Sequence, residues 1–179
     1  MIFTETKLRG AHVIELEMFE DERGFFATNW SAKEFEARGL AALIAEANVS
    51  FNKKKGTLRG MHYQQHPHGQ AKLVRCTRGA IYDVIIDLRN SSATLANWFA
   101  VELTADNHRM LYIPAGFAHG FQTLVDNTEV SYQMSSVFVP DSGSGVRWND
   151  PAFGISWPLA DMTINERDRT YPQYIPNRS

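Results

Sequence analysis

Cysteine is nearly missing from this chain: Cys76 is the one residue among 179, so no internal disulfide can form and a reducing compartment is expected. No run approaches the roughly 18 apolar residues that cross a bilayer, because Asp83, Asp87 and Arg89 interrupt the most hydrophobic region. The opening Met1-Ile2-Phe3-Thr4-Glu5-Thr6-Lys7 lacks the apolar run of a signal peptide, so a soluble protein of the cytoplasm is expected. An excess of one charge is lacking too. With 18 Lys and Arg against 20 Asp and Glu, the net charge is -2, which provides no global field for nucleic acid or a membrane surface. Any anion site must therefore be local. Internal repeats, linkers and low-complexity stretches are absent as well. The remaining composition, 44% hydrophobic and 12% aromatic, is ample for one core, and a single domain over residues 1–179 is expected.

Short β runs bounded by turn residues make up most of the chain. After a first strand over residues 12–17, they fall at 57–64, 72–77, 80–88, 98–104, 109–113, 116–124 and 129–137. Between the first strand and the other seven, Ser31-Ala32-Lys33-Glu34 has the form of a capping box, and Phe35, Leu40, Leu43 and Ile44 recur at helical spacing. This predicts one helix reaching about Ala47, with Gly39 weakening its middle. Seven short strands after one helix imply an antiparallel sandwich or barrel. From Pro140 the chain is rich in Pro, Gly, Asp and Asn yet keeps Trp148, Phe153, Ile155, Trp157 and Leu159, so ordered coil packed over the β core is expected.

The chemistry concentrates in Leu58-Arg59-Gly60-Met61-His62-Tyr63-Gln64 and in Lys72, which follows a Gly/Pro/His-rich turn. A histidine titrates near neutrality and can take a proton at cellular pH, while a nearby ammonium can hold the negative charge that remains. The pair suggests carbanion chemistry beside a carbonyl. A rival pattern is also present. Gly60, His66, His68, Lys72 and Gly79 follow the spacing of the first motif of metal-binding cupins, and Pro114-Ala115-Gly116-Phe117-Ala118-His119 approximates the second. Lysine replaces the glutamate ligand, however, and a protonated ammonium repels a divalent cation. Both motifs read as a cupin jelly roll whose metal site is lost. His66 and His68 then read as surface residues.

The chain closely resembles the dTDP-4-dehydrorhamnose 3,5-epimerases, cofactor-free cupins of deoxysugar nucleotide biosynthesis, over nearly its full length. The landmarks are Asp21-Glu22-Arg23-Gly24-Phe25-Phe26, Leu58 to Gln64, Lys72-Leu73-Val74-Arg75, Ile113 to Phe121, Tyr132, Trp148-Asn149-Asp150-Pro151 and Gly154-Ile155-Ser156-Trp157-Pro158. The resemblance implies a mainly β cupin jelly roll with one short N-terminal helix and an ordered C-terminal coil. It implies epimerisation of a nucleotide-linked 4-keto-6-deoxyhexose at carbon 3, carbon 5 or both, in a homodimer, without nicotinamide, flavin or metal. His62 would be the base, Asp168 its partner, Lys72 the group holding the enolate oxygen and Tyr132 the acid on the opposite face, its phenol acidified by nearby positive charge. Substrate contacts would fall to Arg23, Phe26, Asn48, Arg59, His119 and Phe138, with Arg23 and Arg59 clamping the diphosphate.

Taken singly, these residues have plainer readings. Arg59 could pair with an interior carboxylate such as Asp83, Asp168 could be a solvated surface acid, and Tyr132 could be a packing aromatic. There are also departures from the family pattern. Relatives have two consecutive tyrosines shortly after the catalytic one, whereas here Ser135-Ser136-Val137-Phe138 lacks that hydroxyl. Glu46 stands where a glutamine is common, exchanging an amide for a carboxylate. Both leave open the nucleotide base, and the alternatives are a single-centre epimerase or ketoisomerase of another nucleotide sugar, or a cupin that binds a nucleotide sugar without turning it over.

Overall fold

Residues 1–175 are described in the computed structural model of the chain. In order they form β1 (Ile2–Glu5), β2 (His12–Glu15), β3 (Phe19–Asp21), β4 (Gly24–Phe26), α1 (Ala32–Glu36), β5 (Glu46–Asn52), β6 (Leu58–Gln64), β7 (Lys72–Arg78), β8 (Ala80–Asp87), β9 (Trp98–Thr104), β10 (Met110–Ile113), β11 (Phe117–Thr123), β12 (Thr128–Met134), β13 (Gly143–Gly145) and α2 (Glu166–Arg169). A six-stranded sheet, β1-β2-β10-β7-β12-β5, faces a five-stranded sheet, β13-β6-β11-β8-β9, with antiparallel pairing throughout. This is the jelly-roll arrangement expected. The β3–β4 hairpin forms a separate two-stranded ribbon. No described helix is long and apolar enough to cross a membrane.

Three apolar layers hold the sheets. Val74, Cys76, Ile81, Ile85, Leu111 and Phe121 interlock between them. Phe35 of α1 packs with Ile14, Leu73 and Tyr112 on the outer face of the larger sheet. Burying Phe35 to 1% exposure contributes about 1.5–3 kcal/mol. The C-terminal coil covers the smaller sheet, with Phe153 and Trp157 packed against a cluster containing Val84, Ile86 and Ala118.

The long helix is not formed; α1 ends at Glu36. Gly39 adopts φ +68°, its N–H bonds the Glu36 carbonyl, and the Leu40 N–H reaches back to Phe35. This is a Schellman stop, which a left-handed glycine makes at little cost. The Ser31 side chain makes no capping bond. Residues 46–52, expected to begin within the helix, form edge strand β5 instead.

One irregularity positions the site. His119 pairs with His62 and Phe121 with Arg59, so Gly60 and Met61 of β6 together oppose Gly120 of β11. Residues directly opposite share a face, and positions 119 and 121 lie on the same face of β11. The bulge therefore turns Arg59 and His62, three residues apart, to the same inner face. Glycines at 60 and 120 let the backbones touch. A Cβ on Gly120 would lie 2.6 Å from Met61 Sδ, 2.7 Å from the Arg59 carbonyl oxygen and 2.9 Å from Gly60 Cα. Gly120→Ala is expected to destabilise the protein by about 1–3 kcal/mol, read as a lowered midpoint in thermal or urea unfolding.

Candidate active site

Between the sheets lies a cavity of about 220 Å³ whose lining includes His62, Lys72 and Tyr132 together with Asn48, Phe138 and Arg167. His62 comes from β6 of the smaller sheet, and Lys72 and Tyr132 come from β7 and β12 of the larger one. Imidazole and phenol thus stand on opposing walls. The sandwich imposes this arrangement, because inward-facing positions of two stacked sheets necessarily face each other.

Asp168 reaches β6 from the C-terminal segment. Asn165 caps α2 by accepting the Asp168 N–H at 2.7 Å, which fixes the turn. One Asp168 oxygen lies 2.8 Å from His62 Nε2, and the other accepts the Gly60 N–H at 3.0 Å. Burial works to raise the Asp168 carboxyl, but the bond and charge of His62 and the Gly60 N–H outweigh it and hold the group below its ordinary value. An ionised Asp168 keeps a proton on Nε2, leaving Nδ1 of His62 as the basic nitrogen.

A second buried pair sits deeper. His119 Nε2 lies 2.7 Å from Asp83 Oδ1, with the two side chains 5% and 0% exposed. Burial lowers the His119 imidazole against the opposing pull of Asp83. Lys72 lies close by, its ammonium 3.4 Å from the His62 carbonyl oxygen. Burial pushes Lys72 down to about 8, with the Asp83 charge resisting. The interior therefore holds a cation close to losing its proton at neutral pH.

Tyr132 departs from expectation. Its phenol is raised well above the ordinary value, first by burial, with the Ser50 bond and the Arg59 charge opposing. Positive charge does not prevail, because enclosing the phenolate costs more than one exposed arginine returns. The hydroxyl lies 3.1 Å from Ser50 Oγ.

The remaining expected residues divide. Asn48 and Phe138 line the cavity. Arg59 does not pair with Asp83; it turns to Asn52, Nε donating to Oδ1 at 2.7 Å. His119 lies buried behind the lining on Asp83. Arg23 and Phe26 are on the β3–β4 hairpin, Arg23 bound to Asp21 and Phe26 74% exposed, and neither lines the cavity. His66 and His68 are exposed in the turn before β7. Among the described residues no three His, Cys, Asp or Glu side chains gather as a metal-binding group. Several lining residues were assigned no role from the sequence, among them Gln64, which shares the face of His62 by simple alternation, and Arg167, which precedes Asp168.

The family profile described as dTDP-4-dehydrorhamnose 3,5-epimerase matches residues 5–175. A protein of that description from Methanothermobacter thermautotrophicus is 42% identical over 172 residues, covering 94% of this chain and 92% of its own. The crystal structure of another from Bacillus anthracis, with TDP and PPi bound, superposes with a TM-score of 0.93 at 42% identity, covering 97% of this chain and 99% of that one. A 3'-monoepimerase from Streptomyces bikiniensis, in complex with dTDP-quinovose, gives a TM-score of 0.87 at 32% identity, covering 94% and 85%. A jelly roll with an imidazole and a phenol facing across its cavity, matched over almost its whole length by these relatives, belongs to the dTDP-4-dehydrorhamnose 3,5-epimerase family.

Proposed function

We propose that this cavity inverts a dTDP-linked 4-keto-6-deoxyhexose at carbon 3, carbon 5 or both, with dTDP-4-dehydro-6-deoxy-D-glucose as leading substrate and dTDP-4-dehydro-L-rhamnose as product. The observation that carries this reading is the placing of His62 and Tyr132 on opposite walls of one cavity with Lys72 beside them. Inversion beside a ketone requires a proton to leave one face and another to arrive on the other. His62 Nδ1 takes the first, and Asp168 stabilises the imidazolium. The Lys72 ammonium holds the enolate oxygen. Tyr132, kept protonated by burial, yields its proton only to a strong base such as the enolate carbon. No step calls on a nicotinamide, a flavin or a metal.

TDP in the Bacillus anthracis relative supports the nucleotide assignment. The nucleotide lies at the cavity rim, by Asn48 and Phe138. Arg23 and Phe26 lie outside the cavity of their own chain, so their substrate contact in this reading is made to the cavity of a second copy. A homodimer follows, supported by apolar surface on the hairpin and on the outer face of β5: Phe19 is 72% exposed, Phe26 74%, Val49 64% and Phe51 45%. The chain works as a single catalytic domain in the cytoplasm, where its lone buried thiol stays reduced. Phe138 on the cavity wall, and likeness to a 3'-monoepimerase, favour a second reading in which one centre alone is inverted.

Proton NMR of dTDP-4-dehydro-6-deoxy-D-glucose in deuterium oxide with the protein separates the readings. Loss of the signals at carbons 3 and 5 gives the double epimerase and loss of one gives the single-centre enzyme, whereas retention of both sinks the proposal. His62→Ala is expected to slow this exchange about 10²–10⁴-fold, and exchange at the wild-type rate would remove His62 from the chemistry. Because Lys72 serves as a cation, kcat/KM is expected to fall as pH rises through about 8, where the ammonium is lost. A flat profile to pH 10 would exclude that role.

A further inference from the structure

A phenol that gives up its proton must be refilled before it can act again. Among the described residues the Tyr132 hydroxyl has one hydrogen-bond partner, Ser50 Oγ at 3.1 Å. Ser50 stands on β5, the edge strand of the six-stranded sheet; it is partly exposed yet absent from the cavity lining. Ser50 therefore stands between Tyr132 and the open edge of the sheet. Behind Ser50 runs a polar chain. Arg59 Nε donates to Asn52 Oδ1 at 2.7 Å, and Asn52 Nδ2 donates to Ser50 Oγ at 3.4 Å and to the Thr128 carbonyl at 3.2 Å. Asn52 is 2% exposed and held at both ends of its amide. With Asn52 donating into the serine oxygen, the serine hydrogen is free to point at Tyr132. A fixed positive charge at the far end of such a chain polarises each bond toward the phenol.

We propose that Ser50 is a proton-relay residue that reloads Tyr132 from water at the sheet edge while the sugar still fills the cavity. This rests on the reading of Tyr132 as the acid. The proton count closes. As the new C–H bond forms, the Tyr132 O–H bond breaks; the phenolate takes the Ser50 hydroxyl proton, and Ser50 takes one from water. The hydroxide left behind is neutralised by the proton that imidazolium His62 returns to solvent, so nothing is consumed. Reloading in place lets successive inversions proceed without release. Without it, a phenolate enclosed among apolar side chains waits for product to leave before water reaches it through the cavity.

The test is rapid-quench exchange in deuterium oxide, comparing wild type with Ser50→Ala, Ser50→Thr and Tyr132→Phe. Ser50→Ala is expected to deliver the first deuteron per active site at the wild-type rate and later ones about tenfold more slowly, a burst absent from wild type. Ser50→Thr, which keeps the hydroxyl, restores the later turnovers. Equal slowing of first and later deuterons in Ser50→Ala, or no slowing, overturns the relay. If Tyr132→Phe delivers its first deuteron at the wild-type rate, the acid assignment itself fails; if it is slow while Ser50→Ala is unaffected, only the relay fails.

Discussion

A carboxylate enclosed to 1% exposure, that of Asp168, holds an imidazole 106 residues away in the chain. A charge so enclosed is tolerated only when its lone pairs are used, and here both oxygens are: one by His62 Nε2, the other by the Gly60 N–H. Gly60 belongs to the bulge that turns Arg59 and His62 inward. The same carboxylate therefore fixes the ring and pins the backbone distortion that aims it. Its arrival depends in turn on the Asn165 cap and on Phe153 and Trp157 drawing the C-terminal segment over the smaller sheet. The packing of the C-terminal segment and the orientation of the His62 imidazole thus rest on the same contacts.

Deeper in the sandwich, burial determines which groups keep their protons. It lowers His119 and Lys72 and raises Tyr132, each time disfavouring the charged form. Asp83 opposes the effect for the two basic groups. Its Oδ1 is taken by His119, Oδ2 has no hydrogen-bond partner among the described residues, and the charge of the carboxylate acts on Lys72. The interior is left with an ammonium near the edge of deprotonation and a phenol that keeps its proton. In the reaction proposed above, the first bears the enolate oxygen and the second reprotonates its carbon.

Most of the sheet was legible because its strands bury one face and alternate accordingly; residues 98–104 coincide with β9 and 80–88 nearly with β8. Strand β5 was not legible, and its pattern explains why. Asn48, Ser50 and Asn52 share one face, Ala47, Val49 and Phe51 the other, and it is the polar face that turns inward toward the site. An inverted strand reads as a loop beside a helix. The helix itself was overextended because apolar spacing across Gly39 suited a helix, whereas a left-handed glycine with two backward hydrogen bonds stopped it.

The sequence alone determined the membership of the site in outline: His62 and Lys72 carry chemistry by residue type, and the family motifs add Tyr132 and Asp168. Period-2 alternation with turn residues also determined an antiparallel sandwich or barrel, and the cupin motifs and family resemblance narrowed it to a jelly roll. Only the tertiary structure decided which walls these groups occupy, that Asp168 is buried rather than solvated, that Arg59 turns to Asn52 rather than Asp83, and that the Tyr132 phenol is raised. Proton affinity and facing depend on what lies across a cavity and how much water remains there. Residues far apart in the chain set both, so no local pattern records them.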